Sequence, residues 1–181
     1  MNKTELRRKY KKIRSGVKNK RELSRQITNK ILSSQEYINA ETICLYVSFE
    51  EEVDTWAIIK NALESEKIVG VPIVHETNIN FYKINSIKEI NRKNAFGIKE
   101  PAENKENLIA PESINLIIVP GICFDLDNNR LGFGKGYYDK YLSNKEIAAT
   151  KIGLCFREQI LQNGFIDVDT SDIKMDRVIY D

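Results

Sequence analysis

Histidine is nearly absent from this sequence: His75 is the only one among 181 residues, beside one tryptophan, two methionines and four prolines. A lone histidine excludes most triads that use imidazole as the base, and it leaves zinc without a familiar ligand set. The three cysteines, Cys44, Cys123 and Cys155, are odd in number, widely spaced and set in or beside apolar runs. That pattern reads as reduced, buried thiols in a cytoplasmic protein rather than a disulfide framework. No apolar run approaches the ~18 residues of a membrane-spanning helix, and no apolar signal-peptide core is visible. The formal net charge is only +2, with 30% charged and 41% hydrophobic residues, an ordinary soluble balance. A chain of 181 residues suits a single domain with a sizeable core.

The charge that is present is unevenly spread. Lys3 to Arg21 holds ten basic residues and one acid, Glu5. This is either a nucleic-acid footprint or a solvated helix face. With Tyr10 the only aromatic residue there, a stacking platform is not indicated. Leu6, Tyr10, Ile13 and Val17 recur at helical spacing. Thr4 can cap that helix, and Lys3 and Arg7, four apart, share a side. Gly16 marks a bend, and a second helix from about Lys20 buries Leu23, Ile27 and Ile31, so basic helices cover residues 3–36.

Apolar strands then alternate with helical segments. Thr42 to Phe49 reads as a central strand buried on both faces. Glu50, Glu51 and Glu52 follow, and Asp54 or Thr55 caps a helix that turns Trp56, Ile59, Ala62 and Leu63 to a sheet. Lys67 to Ile73, interrupted by Gly70 and closed by Pro72, and Asn78 to Ile84 are further strands. Glu103 to Pro111 reads as an exposed connection, and Ile152 to Phe156 as a late strand. The alternation predicts an α/β fold: a three-layer domain over 1–181 with a mostly parallel central sheet.

Four of the nine glycines fall between Gly121 and Gly136. Leu116 to Val119 reads as a buried strand ended by Pro120, then a loop, then a helix from about Gly136. Glycines at 132, 134 and 136 allow positive φ and close approach of a ligand. Successive N–H groups there can form an anion nest, with Lys135 adding charge. An ordinary glycine-rich turn gives the same spacing. The pattern is not a Walker A loop, because no Ser or Thr follows Lys135, and it departs from the Rossmann fingerprint.

The full stretch is longer than any three-glycine pattern: Val119-Pro120-Gly121, Phe124-Asp125, then Arg130-Leu131-Gly132-Phe133-Gly134-Lys135-Gly136-Tyr137-Tyr138-Asp139. It resembles the signature of the 5-formyltetrahydrofolate cyclo-ligase family. The resemblance spans roughly residues 3–180 and is weakest at 75–95. It implies a Rossmann-like α/β fold and an ATP-dependent cyclisation of 5-formyltetrahydrofolate to 5,10-methenyltetrahydrofolate. Glu52-Val53-Asp54-Thr55 resembles a stretch whose glutamate binds folate. Phe96 stands where an aromatic residue lines the folate pocket, and Lys3 and Arg7 match a Lys-x-x-x-Arg pair on the nucleotide phosphates. Gln159 and Asp172 match family positions, whereas Ser171 replaces a common histidine and Tyr180 stands near a usual threonine.

On this reading Arg130, Gly132, Phe133, Gly134, Lys135, Gly136 and Asp139 serve the nucleotide, with Arg130, Lys135 and Tyr137 at the chemistry and Tyr138 in packing. Phosphoryl transfer needs positioning and positive charge. Magnesium favours carboxylate and phosphate oxygens, which makes Asp139 and then Asp172 its candidate ligands. Asp125 braces its own loop, and Glu50 and Glu51 are surface charge. The implied protein is a monomer acting on folate and ATP, without nucleic acid or membrane. The competing readings are a sugar-phosphate isomerase type of α/β enzyme and a basic RNA-binding module.

Overall fold

The computed structural model describes residues 1–162 and 165–181. In chain order, α1 (Lys3–Gly16), α2 (Lys20–Leu32) and α3 (Gln35–Asn39) lead to β1 (Thr42–Leu45), α4 (Trp56–Glu64) and a hairpin of β2 (Ile68–Val74) and β3 (Ile79–Ile84). A short antiparallel pair follows, β4 (Arg92–Lys93) with β5 (Lys99–Glu100). The rest comprises β6 (Leu116–Val119), β7 (Cys123–Asp125), β8 (Arg130–Leu131), α5 (Tyr137–Leu142), β9 (Thr150–Leu154), β10 (Ile160–Leu161) and β11 (Arg177–Ile179). The main sheet has the order β11-β9-β6-β1-β2-β3, parallel throughout except for the β2/β3 pair. A second sheet runs β10-β7-β8.

Period-two side-chain alternation builds the layers. Ile43 and Leu45 of β1, with Leu116 and Ile118 of β6, join the core under α2, α3 and α4. Cys44, Ile117 and Val119 point to the opposite face, where they pack with Phe81, Phe124 and α5. Because both faces are covered, these strands read as continuous apolar runs. α1 packs elsewhere: Leu6 and Tyr10 meet Cys123, Leu131 and Leu161 of the small sheet. The chain leaves β1 toward β2 and later returns to β6 on its other side. The C-terminal ends of β1 and β6 therefore flank a topological switch point, where open α/β sheets form ligand crevices.

Several local expectations are corrected. Asn2, not Thr4, caps α1: its side chain accepts from the Glu5 amide while the Glu5 carboxylate accepts from the Asn2 amide, a reciprocal box. β1 stops at Leu45, and β2 continues through Pro72. That proline is tolerated because β1 pairs with β2 only as far as Gly70, so the β1-facing edge of β2 has no β1 partner at Pro72. A β7/β8 hairpin interrupts the expected loop after β6. The 103–111 connection is partly internal, since Ile109 is buried and its Cδ1 lies 2.5 Å from where a Gly70 Cβ would stand. The cysteines are free and buried, as the sequence suggested. Among the described residues no helix is long and apolar enough to cross a membrane.

Phe124 is fully buried against two glycines, and a Cβ on Gly153 would lie 2.4 Å from its ring. Gly153→Ala should therefore destabilise the fold by about 1–3 kcal/mol through overpacking, whereas Gly16→Ala, with nothing within 4 Å of the added carbon, should not. Urea unfolding of both variants checks this; equal midpoints would show that the ring yields freely.

Candidate functional site

One cavity of about 590 Å³ opens at the switch point, within the ~300–1,000 Å³ usual for small-molecule sites. Its walls come from α1, the loop after β1, the hairpin turn, the glycine loop and the C-terminal tail. Lys3, Arg7, Glu52, Phe96, Arg130 and Tyr137 all border it. So do Gly132, Phe133, Gly134, Lys135 and Gly136, and the carboxylates of Asp139 and Asp172. Every site residue expected from the sequence is thus brought to one place.

The glycines do different work. Gly134 has φ +101° and Gly136 φ +70°, the left-handed region where a side chain is strained. Gly132 is needed for space instead: a Cβ there would stand 2.7 Å from Arg130 Nη1. Arg130 lies buried beneath the loop, where Nη1 donates to the Pro120 carbonyl at 3.2 Å and Nη2 pairs with Asp139 at 2.7 Å. Arg7 Nε donates to the Gly132 carbonyl at 2.9 Å, which fixes α1 to the loop. Lys135 is exposed and makes no hydrogen bond or ion pair among the described residues.

The carboxylates are already paired. Lys3 bonds both Asp169 and Asp172. Burial pulls the Lys3 ammonium down, but those two acids outweigh it and raise it overall. For Asp172 burial acts upward, yet the Lys3 hydrogen bond, the Asp169 amide and nearby positive charge leave it lowered. Among the described residues no group of three or more His, Cys, Asp or Glu side chains is arranged for a metal. A magnesium ion carried by phosphates needs only one or two carboxylates. Asp139 uses Oδ1 for Arg130 and for the Ile173 amide, and Asp172 uses Oδ2 for Lys3 and for the Asp169 amide. Each keeps a second oxygen without a hydrogen bond among the described residues, so the donor set fits such an ion.

Away from these phosphate-type donors the cavity turns apolar, along Val74, Ile79 and Ile98. Phe96 is 53% exposed, with its ring 6.5 Å from that of Tyr137, whose hydroxyl donates to the Glu76 carbonyl. Tyr138 is more buried, packing on Phe81 and under the Arg130 guanidinium. Glu52 is only 8% exposed. Its Oε2 accepts from the Phe49 amide at 3.3 Å, and burial pushes its carboxyl up to about 7 although Arg14 works against the rise.

Sequence reasoning missed Arg14, Asp169 and Glu51. All three border the cavity, so Glu51 is not plain surface charge; Arg14 Nη2 lies 3.7 Å from it. Arg14 was legible in principle, because Lys3, Arg7, Lys11 and Arg14 follow one helical face and all four border the cavity. Asp169 carried no signal beyond lying in an acidic tail. Asp125 braces its turn, accepting from the Asp127 and Asn129 amides. Gln159, matched to a family position, is buried structure: it donates to the Ile122 carbonyl and accepts from the Phe156 amide.

The folded-state value of Glu52 lies above its ordinary 4.5, so carrying that charge costs stability. The cost is absent below about 4.5 and complete above about 7. Glu52→Gln should therefore gain stability relative to the parent between about pH 5 and about pH 8, by up to ~3 kcal/mol at ~1.4 kcal/mol per unit. Paired denaturant titrations at both pH values measure it. A difference that does not change with pH would mean that Glu52 is not titrating in this interval.

Comparison with known proteins agrees with the geometry. The 5-formyltetrahydrofolate cyclo-ligase family profile matches residues 1–181. The mouse 5-formyltetrahydrofolate cyclo-ligase is 34% identical over 165 residues, covering 86% of this chain and 80% of that protein. A probable 5-formyltetrahydrofolate cyclo-ligase of Caenorhabditis elegans is 32% identical, covering 99% of this chain and 92% of its own. Among solved structures, the Aquifex aeolicus 5,10-methenyltetrahydrofolate synthetase superposes with a TM-score of 0.85 at 33% identity, covering 99% of this chain and 90% of that one. With the profile matching from end to end and relatives this similar over most of their length, the chain belongs to the 5-formyltetrahydrofolate cyclo-ligase family.

Proposed function

We propose that residues 1–181 form one catalytic unit that converts 5-formyltetrahydrofolate and ATP into 5,10-methenyltetrahydrofolate, ADP and phosphate. The observation that carries this reading is the juxtaposition, in one cavity, of a cation-rich glycine loop and a buried carboxylate beside aromatic and apolar walls. A sugar-phosphate isomerase or an RNA-binding module would have no use for that pairing, and family membership sets both aside.

The chemistry explains the residue types. The formyl oxygen of an amide is a poor leaving group. It attacks the γ-phosphorus of ATP, ADP departs, and the formyl carbon becomes an activated iminium. N10 of the folate then attacks that carbon and gives up its proton, and phosphate leaves with the former formyl oxygen. Charge builds on phosphoryl oxygens in the first step, where fixed donors count most. The loop amides around Gly134 and Gly136 cradle the phosphates, with Phe133 beside them. Lys3 and Arg7 hold the phosphates from α1, and Lys135, free of other partners among the described residues, reaches the group in transit. Arg130 acts from beneath, holding Asp139 and the loop in register. Magnesium bound through Asp139, with Asp172 second, would neutralise phosphate charge. Glu52 accepts from the N–H edge of the pterin, while Phe96 and Tyr137 wall its remainder.

The decisive assay is absorbance of the methenyl product formed from 5-formyltetrahydrofolate, with and without ATP and magnesium. No product at high enzyme concentration sinks the reading. Lys135→Ala should fold and bind 5-formyltetrahydrofolate nearly normally, yet slow single turnover by about 10²-fold, the scale of removing a donor aimed at developing charge. Parent-like single-turnover kinetics would remove Lys135 from the mechanism. Lys3→Ala and Arg7→Ala should each weaken ATP binding by about 1.5–3 kcal/mol, as expected for a lost charge-assisted contact. Calorimetric titration with ATP reads that loss, and unchanged affinity would return α1 to a surface role.

A further inference from the structure

Arg14 is out of place as a merely structural residue. It is 2% exposed, and among the described residues its Nε and Nη1 have no hydrogen-bond partner. A guanidinium buried in this way is costly unless something compensates it. Two things adjoin it. Phe49 and Phe133 present their rings at 5.1 Å and 5.4 Å from its central carbon, which holds its plane by cation–π attraction. Its nitrogens then stand 3.7 Å from one oxygen each of Glu51 and Glu52, close enough for charge to be felt but too far for a hydrogen bond.

We propose that Arg14 is the positioning residue for Glu52: its guanidinium supplies the positive charge that lets this carboxylate face the folate as a buried anion, without itself bonding the carboxylate. The inference rests on the reading of Glu52 as the folate's partner. The 3.7 Å gap keeps the carboxylate oxygens clear of the guanidinium. An arginine in a tight bidentate pair would occupy the oxygens that must accept from the pterin. One held back by two phenyl rings leaves Oε1 available, since only Oε2 accepts a hydrogen bond among the described residues.

The charged and titratable groups facing Glu52 are few. Arg14 comes from α1, Glu51 from the same loop, Tyr46 from the end of β1 and Tyr138 from α5. Among the described residues Arg14 is the one cation that favours the ionised form, while burial and Glu51 oppose it. Loss of Arg14 therefore moves Glu52 toward its neutral form at neutral pH. A neutral carboxyl is a weaker acceptor for a row of N–H donors.

The test measures affinity for 5-formyltetrahydrofolate and for ATP across pH in the parent, Arg14→Met and Arg14→Lys. Carboxyl ¹³C NMR of Glu52, assigned with Glu52→Gln, follows the apo protein. Arg14→Gln runs alongside, as a neutral polar replacement that keeps the comparison if Arg14→Met unfolds. In the neutral variants the Glu52 midpoint should rise by at least one pH unit, and folate affinity should fall about tenfold at neutral pH and recover on raising it. ATP affinity should hold, and Arg14→Lys should keep a near-parent midpoint. An unchanged midpoint in the neutral variants overturns the proposal, as does a lysine variant shifted as far as they are. A parent protein that binds no folate overturns instead the functional reading on which it rests.

Discussion

The ion pair between buried Arg130 and half-buried Asp139 is the contact on which the site's geometry depends. Its 2.7 Å link joins the first residue of β8 to the first turn of α5, and the second arm of Arg130 reaches the Pro120 carbonyl just after β6. One guanidinium therefore ties together three segments that surround the glycine loop. Burying such a pair gains little net stability, because desolvation offsets most of the attraction. Its effect is to fix positions: with Arg130 underneath, a Cβ at position 132 would stand 2.7 Å from its Nη1 and would displace the guanidinium. The loop then has a floor, and the left-handed turns at Gly134 and Gly136 start from a defined point.

The cavity above that floor holds cations and carboxylates in mutual balance. Lys3 is raised and Asp172 lowered. The first contribution persists until pH climbs past the ordinary lysine range, and the second until pH drops below the ordinary aspartate range. Their pairing is therefore constant across neutrality. Glu52 behaves oppositely, because burial rather than pairing dominates its environment, and its proton exchanges near 7. The site thus separates a region of fixed charge around the glycine loop from a region of adjustable charge at the end of β1.

What the sequence disclosed follows the same division. Strands β1 and β6, buried on both faces, announced themselves as unbroken apolar runs, and the glycine–tyrosine–aspartate stretch announced the loop. Short elements did not: β7 and β8 have three and two residues, too few for an alternation to register. The capping Asn2 was hidden by Thr4 two residues on, since both are good caps and only the reciprocal bond with Glu5 decides between them. Arg14 and Asp169 were hidden for a different reason. Each belongs to a run of like charges, and only tertiary packing selects which member turns inward.

That selection rests on contacts between the two ends of the chain. The loops of the parallel sheet deliver Glu52 and the glycine loop, but most of the cations opposite them come from α1. Its apolar stripe of Leu6 and Tyr10 docks on the small sheet, and this sets the helix rotation that points Lys3, Arg7 and Arg14 into the cavity. Arg7 then reaches the glycine loop, and Lys3 the acidic tail. The residues joined by these bonds are 125 and 169 positions apart, among the last contacts that loop-closure entropy favours. Only when the first helix settles against the small sheet, meeting strands drawn from the last third of the chain, do fold and chemistry become the same structure.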